Sequence, residues 1–166
     1  MRPETPWLSA NEEHLWRAWT QLNAELSATL QREMQSDANL SMSDYEVLVH
    51  LTDSPEGRVR VSDLARLLQW ERSRVSHHLT RMERRGLVER SECAEDGRGA
   101  FIGVTAAGRF ANEQAAPSHV AAVRRLVFDA LDENDVSCLS EAINKMLAGL
   151  HAVGDDAMFS RVTASP

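Results

Sequence analysis

Cysteine, tyrosine and lysine are scarce in this chain, and each scarcity narrows what the protein can be. Two cysteines in 166 residues, Cys93 and Cys138, are too few for a disulfide scaffold and have no metal-ligand spacing. Reduced thiols in a cytoplasmic protein are the expectation. No apolar run approaches the roughly 18 residues of a membrane span. The opening stretch MRPETPWLSANEEH has no apolar segment of the signal-peptide kind. No membrane partner is expected. The sequence also lacks a glycine-rich phosphate loop, a His-Glu-x-x-His pair and a Ser-His-Asp order around a nucleophile elbow. Its carboxylates fall at helix starts and on solvated faces. Neither an enzyme nor a cofactor is expected.

What is present is an ordinary soluble composition, 43% hydrophobic and 26% charged. The length suits a single domain with a core of its own. The net charge of -7 conceals an asymmetry. Residues 58–109 carry eleven arginines against seven carboxylates, a balance of +4, which leaves -11 on the rest. An acidic protein with one basic segment can hold a polyanion there and repel it elsewhere. Arginine supplies nearly all the cations, and its planar fork bonds phosphate or guanine bidentately.

Apolar spacing divides the chain into elements. Ser9 and Glu12 form a capping box before a helix over about Ser9–Met34, with Leu15, Trp19, Leu22, Leu26 and Leu30 as its stripe. Ser43 and Glu46 suggest a second box, opening a helix that stops at Asp-Ser-Pro-Glu-Gly. RVRVSDLARLLQW reads as a strand-like lead and a short helix capped by Ser62, with Leu64, Ala65, Leu67 and Leu68 inside. From Arg72 to Arg85, Val75, Leu79 and Met82 mark one helix face. Ser73, Arg74, Ser76, His77, Thr80, Arg81 and Arg84 occupy the other, and Gly86 closes the helix. Leu87, Val88 and Arg90, then Phe101, Ile102 and Val104, read as a hairpin around a glycine-rich tip. Thr105 caps the next helix, which can bend at Pro117. Asp132 caps the last, whose stripe runs from Val136 to Leu150.

Helix, short helix, longer helix and hairpin, in that order, outline a winged helix-turn-helix. The second helix of such a motif enters the major groove of double-stranded DNA. Arg98 at the hairpin tip suits a narrow minor groove. The terminal helices have apolar stripes with few partners in so small a core, and a homodimer would bury them.

SRVSHHLTRMERRGLVER (Ser73–Arg90) followed by DGRGAFIGVTAAG (Asp96–Gly108) resembles the MarR family of bacterial transcription regulators. SMSDYEVLVHLTDSP and RVSDLARLL extend the resemblance upstream, over roughly residues 40–110. The resemblance implies a mainly α fold, an α+β winged helix whose N- and C-terminal helices form a dimerisation base. Residues 1–166 would be a single domain, with the winged lobe near 40–105 and the dimerisation helices near 9–36 and 106–153. It implies a homodimer on a pseudo-palindromic operator of roughly 16–20 bp, acting as a repressor. Asp96 would orient Arg98 into the minor groove. Ser73, Arg74, Ser76, His77, Thr80 and Arg81 would meet bases or phosphates, and which of them read bases stays open. Two departures from the family pattern stand out: Trp70 at the turn, and the His77–His78 pair.

The resemblance further implies a small aromatic ligand that releases DNA. Trp16, Trp19, Tyr45 and His50 are the candidates to wall its pocket, with plain packing at a dimer interface as the alternative. No metal is expected. His77 and His78 diverge around the helix and lack a third ligand, and the other histidines are scattered. Cys93 lies between carboxylates that disfavour a thiolate, and Cys138 reads as a core or interface thiol. The competing function is a helical homodimer that binds a protein, with the winged lobe as scaffold. Retention of Arg98 and of the polar helix face argues against it.

Overall fold

Serine hydroxyls set where the first helices begin. The computed structural model describes residues 7–92 and 100–162. Its first helix, α1 (Ala10–Ala38), starts in the expected box: the Glu12 N–H donates to Ser9 Oγ, and the Ser9 N–H donates to the Glu12 carboxylate. It ends at Asn39, whose φ of 53° turns the chain. The second helix, α2 (Met42–Asp53), departs from expectation. Its cap is Ser41, not Ser43: the Asp44 N–H donates to Ser41 Oγ at 3.0 Å, and the Ser41 N–H donates to Asp44 Oδ2 at 2.9 Å. Both serines have an acid three residues on. The Asp44 carboxylate is buried and reached by His78 and Arg85, whereas Glu46 is exposed.

The order continues with β1 (Arg58–Arg60), α3 (Val61–Leu67), α4 (Arg72–Arg84), β2 (Val88–Glu92), β3 (Ala100–Val104), α5 (Ala106–Leu126), a 3-10 turn at Phe128–Ala130 and α6 (Glu133–Val162). The strands form one antiparallel sheet in the order β1-β3-β2, with Arg60 opposite Phe101 and Arg90 opposite Ile102. The expected hairpin therefore gains a third strand from the lead to α3. That pairing keeps the chain extended to Arg60, so α3 begins at once and Ser62 lies inside it rather than at its cap. Leu67 also departs from expectation, standing exposed on α3 while Leu64 and Ala65 are buried.

The core gathers Val47, Leu48 and Leu51 from α2, Leu64 from α3, and Val75, Leu79 and Met82 from α4, closed by Val88 and Ile102 of the sheet. Burying each of these side chains contributes about 1.5–3 kcal/mol before entropy is counted. Thr105 and Gly108 lock α5 onto this core. The Thr105 hydroxyl donates to the Gly86 carbonyl at 2.6 Å and accepts the Gly108 N–H at 3.0 Å. A Cβ on Gly108 would stand 2.0 Å from the Leu87 carbonyl oxygen, so only glycine permits this approach. α5 continues through Pro117 without a break.

The chain divides into two compact units, Met1–Ala122 and Val123–Pro166. The second holds the end of α5, the 3-10 turn and α6, and Asp132 caps α6 by accepting the Asp135 N–H at 2.8 Å. Each unit carries exposed apolar side chains: Leu15, Trp16 and Leu22 on α1, and Met146, Leu147 and Leu150 on α6. Cys138 is exposed, so it is not a core thiol of the single chain. No helix among the described residues is long and apolar enough to cross a membrane.

Candidate nucleic-acid interface

The turn between α3 and α4 is what presents α4. Leu68 ends α3, Gln69 takes a φ of 54°, and the Trp70 N–H returns to the Ala65 carbonyl at 2.9 Å. The chain so reversed lays α4 across α3. Val75, His78, Leu79 and Met82, at i, i+3, i+4 and i+7, form its buried rear. Ser73, Arg74, Ser76, His77 and Arg81 stand exposed along its front with Arg72 and Arg84. Thr80 is half-buried and turned toward the sheet. Its hydroxyl donates to the Ser76 carbonyl at 2.9 Å and accepts from Arg90 Nη2 of β2 at 3.3 Å. Arg90 also donates to the Ser76 carbonyl at 3.2 Å, which ties the wing to the helix.

Two arginines on the front are held from behind. The Arg74 guanidinium lies over the Trp70 ring, 4.1 Å from its centroid. Arg81 Nη2 donates to His78 Nδ1 at 2.9 Å. His78 is only 6% exposed, so the His77–His78 pair is split, with His77 on the front and His78 on the rear. The reason is helical phase, which places residue 78 beside Val75 and Met82 on the rear. His78 Nε2 sits 3.0 Å from Asp44 Oδ1, at ion-pair distance but out of line for a hydrogen bond. Arg85 Nη1 donates to Asp44 Oδ2 at 2.7 Å, and Arg85 Nη2 donates to the Asn39 carbonyl at 2.8 Å. Burial alone would raise the Asp44 carboxyl. His78, the Ser41 backbone N–H, Arg85 and the Ser41 hydroxyl outweigh it and hold the group well below the usual carboxylate range. Spacing could not single out Asp44, His78 or Arg85, because they meet across 34 residues or more of chain.

Asp96 and Arg98, the expected minor-groove pair, lie outside the described residues, as does Cys93. The four aromatic candidates are not brought together within one chain. Trp16 and Trp19 are exposed on the outer half of α1. Tyr45 packs where α2 meets Met34, and Met34 lies fifteen helical steps from Trp19, about 22 Å. The Tyr45 ring instead meets His119 of α5, with centroids 4.8 Å apart. His50 is half-buried on α2. Burial lowers the His119 pKa, while burial and then the charge of Asp53 raise that of Tyr45. Leu30, Met34, His119 and Ala122 leave a crevice beside them with no room for a water molecule. His119 was hidden among scattered histidines in the sequence. Among the described residues no group of three or more His, Cys, Asp or Glu could hold a metal ion.

The profile of the MarR family matches residues 38–99. The fold is shared with AbsC, a MarR family transcriptional regulator from Streptomyces coelicolor. The two are 38% identical, with 89% of this chain and 99% of that one covered and a TM-score of 0.83. Sco3205, another MarR family regulator of that organism, solved in complex with DNA, is 37% identical over 88% of this chain and 92% of its own, with a TM-score of 0.83. A more distant match in fold is the organohalide-sensing RdhR-CbdbA1625 regulator in its 2,4-dichlorophenol-bound form. It is 21% identical over 88% of this chain and 86% of its own, with a TM-score of 0.72. Comparison with curated proteins returns no match.

Proposed function

This chain belongs to the MarR family of DNA-binding transcription regulators, which are not enzymes, and from that premise we propose that it is a cytoplasmic homodimeric repressor of a pseudo-palindromic operator. The observation that carries the reading is the front of α4. A buried apolar rear fixes the helix, and Ser73, Arg74, Ser76, His77 and Arg81 all face solvent from it. In this reading Arg74 and Arg81 meet guanine edges or phosphates, the short serines let the helix approach the backbone, and His77 donates or accepts. Thr80 contributes through its contact with Arg90 rather than by reach. Arg98, oriented by Asp96, enters the minor groove. The exposed stripes of α1 and α6 are buried between two copies, which sets two reading helices about 34 Å apart, one turn of B-DNA.

A small aromatic ligand that shifts the lobe spacing would release the operator. The 2,4-dichlorophenol bound by a distant relative supports that class of ligand. Trp16, Trp19, Tyr45 and His50 can contribute to one pocket only if the second copy brings its α1 across.

Fluorescence anisotropy tests the reading, with the duplex upstream of the protein's own gene titrated beside a scrambled duplex at two salt concentrations. Preferential binding that weakens with salt is expected. Arg74→Ala should cost about 1–3 kcal/mol on the native duplex, the worth of one bidentate base contact. Arg98→Ala should weaken both duplexes alike. Absence of binding to every genomic fragment at low salt would favour the protein-binding alternative.

A further inference from the structure

The reading arginines share one support that does not itself reach the front of α4. His78 is buried, and its Nδ1 accepts from Arg81 Nη2 at 2.9 Å. A guanidinium has only donors, so Nδ1 must be the unprotonated nitrogen, and the ring proton sits on Nε2, which lies 3.0 Å from Asp44 Oδ1 at ion-pair distance. The same imidazole meets the Trp70 ring edge-on, with centroids 5.4 Å apart and planes at 88°. Trp70 in turn carries Arg74 on its face. Asp44 is anchored independently by Ser41 and Arg85. A chain of contacts therefore runs from the α1–α2 junction, through a buried carboxylate and one histidine, to both exposed arginines. An unsupported arginine on a helix surface samples many rotamers and loses that freedom on binding. One held beforehand presents its remaining N–H groups in a set direction and loses less.

We propose that His78 is a positioning residue for DNA reading: it holds Arg81, and through Trp70 also Arg74, in the reading conformation. The proposal rests on Arg81 being a DNA contact.

The test is selection of duplexes from a randomised pool by the wild type, Arg81→Ala, His78→Leu and His78→Gln, with thermal melting of each. The wild-type consensus duplex then serves as probe for affinities. His78→Leu should flatten base preference at the same positions as Arg81→Ala and weaken the probe about tenfold, within the worth of one base contact. It should cost less in the Arg81→Ala background than in the wild type, the remainder being what is lost through Trp70 and Arg74. His78→Gln, whose amide can accept from Arg81 and donate to Asp44, should keep the wild-type preference. Uniform weakening at all positions, or additive losses in the double variant, would overturn the proposal and leave the DNA reading standing. If Arg81→Ala changes nothing, or the wild type enriches no duplex, the reading of Arg81 falls and the proposal with it. If His78→Leu does not fold, the imidazole 15N shifts of the wild type decide. Arg81→Ala should move His78 Nδ1, and an unmoved resonance would overturn the contact.

Discussion

Asp44 does two structural jobs with one carboxylate. It completes the cap of α2 through the Ser41 N–H, and it grips α4 through Arg85 and His78. Its folded pKa is lowered, so its contribution is present above the ordinary value of about 3.9 and is lost as pH falls through the folded value below it. Urea midpoints measured from pH 7 down to pH 3 should show this as a loss confined to the acid end. Asp44→Asn should be less stable at pH 7 by about 1.5–3 kcal/mol, the worth of hydrogen bonds to a buried charge. It should also lose less than the wild type on acidification. Equal acid slopes would remove Asp44 from that role. Residues of this kind were illegible in the sequence. The exposed set on α4 follows from helical phase alone, since Ser73, Arg74, His77 and Arg81 fall opposite Val75 and Leu79. The pairing of Asp44 with His78 depends on how two helices pack, and nothing local encodes it.

Among the elements, α4 was the most legible, because its apolar positions keep helical spacing and Gly86, with a φ of 72°, ends it. Thr105 and Gly108 were legible as a pattern, but their reason, the 2.0 Å approach to the Leu87 carbonyl that a Cβ would make, was not. The start of α2 was misread because two serine-to-acid spacings overlap there, and only the buried fate of Asp44 separates them. Alanine substitution tests the correction. Ser41→Ala should lower stability by about 1 kcal/mol, as loss of a cap does, and Ser43→Ala should leave it nearly unchanged. Reversed effects in urea melts would restore Ser43 as the cap. The strand-like lead to α3 was read, but its pairing was missed for a related reason: β1 pairs with β3 across the whole of α3, α4 and β2, Arg60 with Phe101. A three-residue strand has too little alternation to announce a partner so distant.

For the molecule as a whole, apolar surface and charge point to one assembly. A single chain leaves Leu15 at 67%, Trp16 at 59% and Leu22 at 54% exposure on α1, and Leu150 at 68% on α6. Large side chains repeated in this way along helices are a cost to an isolated chain and an interface to a pair. The -11 balance outside residues 58–109 opposes contact with DNA there, so two basic segments, one per copy, would face the duplex together. Leu22→Glu separates the two levels. An exposed position in a monomer tolerates glutamate, and the helical spectrum should be unchanged. Two copies cannot bury that charge unpaired, so sedimentation should report a monomer for the variant and a dimer for the wild type. Operator affinity should then fall by more than a hundredfold, because the second half-site no longer comes at high effective concentration. The salt slope should fall to about half, because one lobe releases half the counterions of two. A dimer that survives Leu22→Glu with affinity intact would move the interface off α1. A monomer that keeps wild-type affinity would mean that one winged lobe suffices, and the two-site geometry would have to be abandoned.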